Sequence, residues 1–262
     1  MSARTDLTIR HTELTALPTS VWQETALEIL NVSNNKLRSI PETIGSLRSI
    51  RLLDLGHNEL EALPNAIGDL TGLSDYLYLS DNQLTSLPAT VGKLARLRYL
   101  NISSNELSRL PESIGDMAGL IELRAANNRL MSLPASFGRL LLLRELYLDR
   151  NELGEIPESI GSLTQLRKLN LESNRITRLP DSVGGLEKLT DLSVRGNRVS
   201  DLSVLGDCKK LSYLDCRANG MTRLSDALAH LPLEKLDLRW NPITSYPSWL
   251  DDLEARGCTV FR

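Results

Sequence analysis

Two phenylalanines, three histidines and three cysteines are all that this chain of 262 residues holds of those types. Each shortage closes off a class of chemistry. Cys208, Cys216 and Cys258 form no CxxC pair, and three is an odd number for a disulfide framework. They read instead as buried thiols in a reducing compartment. No H-E-x-x-H, G-x-S-x-G or phosphate-loop pattern is present, so no catalytic, cofactor-binding or metal-ligating residue is expected. The longest leucine run, residues 140–143, is far short of the roughly 20 apolar residues that span a bilayer. A net charge of -3 provides no basic stripe for nucleic acid. The first twenty residues carry Arg4, Asp6, Arg10, His11 and Glu13 in place of an apolar signal core. These absences describe a soluble cytoplasmic protein without an enzyme's machinery. Export by a non-classical route would leave no mark in such a sequence.

What the sequence has is a period. Residues 97–115 read L-x-x-L-x-L-x-x-N-x-L-x-x-L-P-x-x-I-G, with Ile102 in the third leucine slot, and this pattern recurs along nearly the whole chain. Its asparagines are Asn35, Asn58, Asn82, Asn105, Asn128, Asn151, Asn174, Asn197, Asn219 and Asn241, spaced by 22 to 24 residues. Thr12 stands where one more copy would place an asparagine. The leucines that alternate with polar residues predict a short strand with one buried face. One repeat cannot enclose a core, so its leucines need the next repeat to cover them. The asparagine amide has donors and an acceptor for backbone groups where the chain turns inward. Proline and glycine in L-P-x-x-I-G suit the outer return.

On these residues the chain resembles the leucine-rich repeat proteins over about residues 4–262. The L-P-x-x-I-G form is similar to intracellular repeats of bacteria and plants, including recognition domains of some bacterial effectors. The resemblance implies a single domain, 1–262, built as a right-handed α/β solenoid of about eleven repeats. Such a horseshoe carries a parallel sheet on its concave face. It also implies a non-catalytic module that binds a protein partner, as a scaffold, adaptor or regulator. Two other roles go with the family. One is the substrate-recognition part of an effector or ubiquitin-ligase-type enzyme whose catalytic part lies elsewhere, and the other is an enzyme inhibitor. A monomer is expected.

Departures from the template are local. The first repeat, residues 1–26, is degenerate and puts Trp22 in the glycine slot, where a capping role is expected. One extra residue falls around Gly72–Tyr76, just before a strand. The two repeats after residue 200 lack the proline. A helical outer turn capped by Ser225 or Asp226, and a change of curvature, are expected there. Residues 242–262 form a C-terminal cap, with a short helix from Ser248, Gly257 just past its end, and a partial strand after it. His11 and His57 share one column two repeats apart, roughly 10 Å at ~4.8 Å per strand, too far to share a metal.

The outward strand positions form three columns of eleven. Five of the six tyrosines fall among these 33 positions, and tyrosine supplies contact area at protein interfaces. Tyr76 and Tyr99 should lie side by side on adjacent strands, with Tyr78 next to them and Tyr147 three repeats on. Arg195, Arg217 and Arg239 end the third column after Asp149 and Glu172. With Asp215 and Asp237 close by, they make either a self-neutralising ladder or a docking site for an acidic segment. The expected partner-binding residues are Tyr76, Tyr78, Tyr99, Arg124, Tyr147, Arg195, Tyr213, Arg217, Arg239 and Trp240.

Overall fold

The computed structural model describes residues 4–262, so residues 1–3 of the first repeat lie outside the described residues. The chain divides into two compact units, one up to Arg129 and one from Leu130.

The first unit holds β1 (Asp6–Thr8), β2 (Ile29–Asn31), β3 (Leu52–Asp54), β4 (Tyr76–Tyr78), β5 (Tyr99–Asn101) and β6 (Glu122–Arg124). They pair in parallel and in chain order, so that Tyr76 stands beside Tyr99 and Leu77 beside Leu100. The second unit holds β7 (Glu145–Tyr147), β8 (Lys168–Asn170), β9 (Asp191–Ser193), β10 (Tyr213–Asp215), β11 (Lys235–Asp237), the helix α1 (Trp249–Ala255) and β12 (Thr259–Phe261). These strands also pair in parallel and in chain order. Three residues suffice for each strand because only the middle leucine must be covered; Leu30, Leu53, Leu123 and Leu146 are wholly buried. The flanking residues point the other way, and they are the predicted columns in the predicted register.

Each strand of the first ten repeats is followed by an outer return of the same kind, a five-residue 3-10 turn. From the first repeat to the eighth a proline precedes it, from Pro18 to Pro180. The ring presets the φ, and its carbonyl takes the turn's first bond, as in Ile44 N–H to Pro41 O at 3.0 Å. The change of outer turn expected after residue 200 does not occur. Ser203–Asp207 and Asp226–His230 are again five-residue 3-10 turns. Ser225 replaces the proline by accepting the Ala227 N–H, and Leu228 and Leu231 are buried as expected.

The glycine of L-P-x-x-I-G is required by close approach. A Cβ on Gly92 would lie 2.5 Å from the Ser113 carbonyl oxygen of the next outer turn. Trp22, in the equivalent slot of the first repeat, is buried, and its carbonyl accepts the Ser46 hydroxyl. The extra residue is absorbed where β4 begins. In an ordinary repeat the Ile121 and Glu122 N–H groups share the Arg98 carbonyl, at 2.8 and 3.1 Å. Beside the insertion, Arg98 N–H goes to Ser74 O and Tyr99 N–H to Asp75 O, at 3.0 and 3.2 Å. Two residues thus oppose one, in the manner of a bulge.

The asparagines bond in four directions. Asn105 donates to the carbonyls of Ile102 and Ser103 in its own repeat and of Leu79 in the preceding one, at 3.0–3.2 Å. Its carbonyl oxygen accepts the Leu84 N–H at 3.0 Å. Thr12 bonds forward instead, its hydroxyl donating to Asn35 at 2.8 Å. The residue before each ladder asparagine is left-handed, from Asn34 (φ 57) to Trp240 (φ 61), and only Gly196 among them is glycine. All three cysteines are buried and unpaired. Burial pushes the Cys208 thiol up to about 11 and raises Cys216 and Cys258 as well, so these sulfurs stay protonated at neutral pH. At the C-terminal end, Leu250 and Leu253 of α1 are buried, Gly257 turns the chain with φ 95, and β12 lies beside β11.

Two stability predictions follow from this geometry. Asn105→Ala leaves buried backbone groups without partners and should lower the unfolding free energy by about 1–3 kcal/mol. Outward-facing Asn101, whose side-chain oxygen accepts the Ser103 N–H, should cost about 1 kcal/mol or less on the same change. Equal urea midpoints for the two variants would show that the ladder contributes nothing special. Gly92→Ala should cost about 1–3 kcal/mol, because the Ser113 carbonyl is backbone and cannot swing aside. A Cβ on Gly154 meets nothing within 4 Å. Gly154→Ala should therefore move the midpoint hardly at all.

Candidate functional site

In the first unit, alternation along β4 turns Tyr76 and Tyr78 outward on either side of buried Leu77. Pairing of β4 with β5 then sets Tyr99 beside Tyr76. The three rings touch. Tyr76 and Tyr78 stack with centroids 5.7 Å apart, and Tyr99 leans on both at 5.4 and 5.1 Å. The Arg124 guanidinium lies 5.9 Å from the Tyr99 centroid and is held by Glu122 at 2.6 Å. Tyr76 remains 42% exposed. Burial raises the phenol pKa of Tyr78 and Tyr99, so these two rings are uncharged at neutral pH. The residues that follow these strands on the same face are small, Gly56, Ser80 and Ser103. A partner backbone can therefore come close to the rings.

Next to the rings, where the strands begin, is a cavity of about 460 Å³. It is lined by Arg51, Asp75, Tyr76, Arg98, Tyr99, Ile121 and Glu122. Sequence reading selects Tyr76 and Tyr99 of these seven; Glu122 stands in the first outward column without being selected, and Arg51, Asp75, Arg98 and Ile121 precede the columns. The nearest sequence signal is the extra residue at 72–76, which changes the backbone bonding where β4 begins.

In the second unit, Tyr147 and Tyr213 line a hollow of about 270 Å³ with Lys168, Asn170, Ser193 and Lys235. Their hydroxyls are committed. Tyr147 donates to Glu145 at 2.6 Å and Tyr213 to Glu234 at 2.7 Å. The bond to Glu234, more than burial, raises the Tyr213 pKa.

The arginines of the third column are paired in the same unit. Arg195 meets Glu172 at 3.4 Å, Arg217 bonds Asp215 and lies 3.4 Å from Asp237, and Arg239 bonds Asp237 at 2.7 Å. The ladder is thus self-neutralising, and no bare cationic stripe waits for an acidic segment. All three guanidiniums gather round Trp240, 5.6–5.8 Å from its ring, and the indole is 64% exposed. Asp237 is 1% exposed. Burial pushes its carboxyl up, but the Arg239 side-chain and backbone bonds and the Arg217 and Arg239 charges outweigh that and hold it below the ordinary value.

Among the described residues no group of three or more His, Cys, Asp and Glu is placed to hold a metal ion, and no helix is long and apolar enough to cross a membrane.

Comparison with known families bears directly on these strands. The family described as leucine rich repeat matches residues 5–74 and 75–130, and that described as leucine-rich repeat region matches residues 134–249. The chain belongs to the leucine-rich repeat family. Curated proteins gave no match by sequence. Solved leucine-rich repeat structures show the same fold. An internalin, InlF of Listeria monocytogenes, is 21% identical over 98% of this chain and 86% of its own, with a TM-score of 0.59. The functional domain of InlJ from Listeria monocytogenes is 21% identical over 93% of this chain, with a TM-score of 0.69. This chain covers 60% of that domain. A leucine-rich repeat protein of Leptospira interrogans aligns over 98% of this chain and 95% of its own at 24% identity, with a TM-score of 0.49. For the two Listeria proteins the likeness is one of fold.

The buried carboxylate gives this leucine-rich repeat surface a pH signature. A carboxyl held below its ordinary pKa contributes stability above that ordinary value and loses it as the pH falls through the lowered one. Asp237→Asn should therefore cost about 1–3 kcal/mol at neutral pH and progressively less below about pH 4. Urea unfolding at several pH values measures this. An equal cost at neutral pH and in acid would mean that the charge on Asp237 is irrelevant to the ladder.

Proposed function

We propose that this leucine-rich repeat chain is a non-catalytic protein-recognition module whose partner docks on the outward face of the strands. Leucine-rich repeats are a general protein-interaction module. The observation that carries the present reading is the contact cluster of Tyr76, Tyr78 and Tyr99, with Arg124 against it. Aromatic rings gathered on an otherwise polar face are what the centre of an interface requires. They offer contact area with few rotatable bonds, and a partner can exclude water from around them. Packing within the chain does not demand them there, since the buried face of these strands is already filled by leucine. Trp240 with Arg195, Arg217 and Arg239 is a second candidate contact patch, as are Tyr147 and Tyr213 around their hollow. The three protonated, unpaired thiols favour a reducing compartment such as the cytoplasm.

The double variant Tyr76→Ala, Tyr99→Ala tests the reading. The variant removes all three ring pairs, each worth about 0.5–1.5 kcal/mol, so it should lose roughly 1.5–4.5 kcal/mol of stability, and circular dichroism should show it still folded. A partner captured on the immobilised wild-type chain should bind the variant about 2 kcal/mol, or roughly thirtyfold, more weakly by titration calorimetry. It should bind Arg178→Glu, changed just ahead of an outer turn, as well as wild type. Normal binding by the double variant together with loss in Arg178→Glu would move the site off the strand face.

A further inference from the structure

Arg98 is the cation lining the first-unit cavity that has no acidic partner among the described residues. The other charges there are already satisfied. Arg51 bonds Asp75 at 2.8 Å and reaches Glu28 at 3.7 Å, and Glu122 is bonded by Arg124 at 2.6 Å. Asp75 also accepts the Ser74 hydroxyl at 2.9 Å. The acids of this cavity therefore have donors, while the Arg98 guanidinium still has its donors to give. Beside it stand the faces and edges of Tyr76 and Tyr99 and the half-buried side chain of Ile121. A space of about 460 Å³ is ample for one large side chain with some backbone.

From this pairing of an uncommitted guanidinium with apolar walls we infer that the cavity is a specificity pocket for an acidic segment of the protein partner. In that segment an aspartate or glutamate lies next to a bulky apolar residue. The inference rests on the proposed recognition role and adds to it the chemistry of what is recognised. The carboxylate meets Arg98 in a charge-assisted, two-pronged hydrogen bond, and the apolar neighbour lies against Tyr76, Tyr99 and Ile121. A basic segment is disfavoured, because Asp75 and Glu122 would have to leave their arginines to meet it. An apolar segment alone would cover Arg98 without giving it an acceptor, which costs binding energy. The pocket lies beside the inserted residue. Without the Ser74 bulge, the Arg98 and Tyr99 amides would share one carbonyl, as in the other repeats.

The test uses short random peptides displayed on phage and panned against the purified chain. Enriched sequences are then synthesised and titrated by fluorescence anisotropy. Enrichment of aspartate or glutamate beside a large apolar residue is expected. Those peptides should bind Arg98→Gln about tenfold or more weakly, with partial recovery in Arg98→Lys, and should weaken likewise when their own acid is changed to the amide. Arg98 is exposed, so the variants should match the wild-type circular dichroism. Enriched peptides without an acidic residue, a library that enriches nothing, or unchanged binding to Arg98→Gln would each overturn the inference. Peptides that are insensitive to Arg98→Gln but weakened by the tyrosine double variant would overturn the acidic pocket and leave the strand-face recognition standing. Insensitivity to both would overturn both.

Discussion

The asparagine side chain is the interaction on which the rest of this fold depends. A leucine column needs only apolar neighbours, and many architectures supply those. The inward turn after each strand is harder, because it buries backbone N–H and carbonyl groups that no regular ladder can reach. One amide, as at Asn105, meets three carbonyls and one N–H, and two of those partners belong to the preceding repeat. The same bonds that satisfy one turn therefore join it to its neighbour. Asparagines from Asn35 to Asn197 are accordingly among the few buried polar residues; Asn219 makes the same bonds while part-buried. On the outer side, the glycine slot joins the repeats by closeness alone. Gly92 lets the Ser113 carbonyl approach to where a methyl group would be.

Such local satisfaction leaves most outward strand positions without a fixed structural duty, the buried and bonded Asp237 being an exception. That is why the variable columns hold tyrosine, glutamate, lysine and arginine in no fixed order. It also explains what the left-handed slot before each asparagine tolerates. Ala218 at φ 50 and Trp240 at φ 61 sit in a conformation that ordinarily favours glycine or asparagine. The surrounding bonds impose that conformation, and the slot's side chain is left to the surface. At Trp240 the result is an exposed indole ringed by three guanidiniums.

Most of this architecture was legible because each repeat states the same rule again. The columns could be read residue by residue from the spacing of Leu7, Leu30 and Leu53 onward, and the strand pairing reproduces the first two. The contact of Tyr76 with Tyr99 followed from register alone. Two things were not legible, for different reasons. The absence of proline at residues 200–208 suggested a different outer turn, yet Ser203–Asp207 is the usual one. Neighbouring turns and the glycine slot fix its path, and proline only assists. The cavity beside Arg98 was hidden because most of its lining comes from residues just before the strands, where the insertion alters the backbone bonding. Counting residues locates such a bulge but does not say which side chains it uncovers.

Electrostatics then separates surfaces that look alike in the sequence. Arg195, Arg217 and Arg239 are the more obvious cationic group, three in one column. Yet each is bonded to a carboxylate, and Asp237 between two of them is almost wholly buried. An acidic partner there would have to displace bonds already made at short range, for a gain that begins near zero. Charge pairs of this kind fix side chains in place and help to reject wrong partners more than they add affinity. Around Tyr76, Tyr78 and Tyr99 the balance is reversed. Ring surface still faces water, and covering it is favourable in proportion to the area removed. The nearby Arg98 has lost no solvation to a competing acid among the described residues. Affinity can therefore come from the rings and selectivity from the lone guanidinium. The arginine column, for all its charge, is suited to holding the surface in shape.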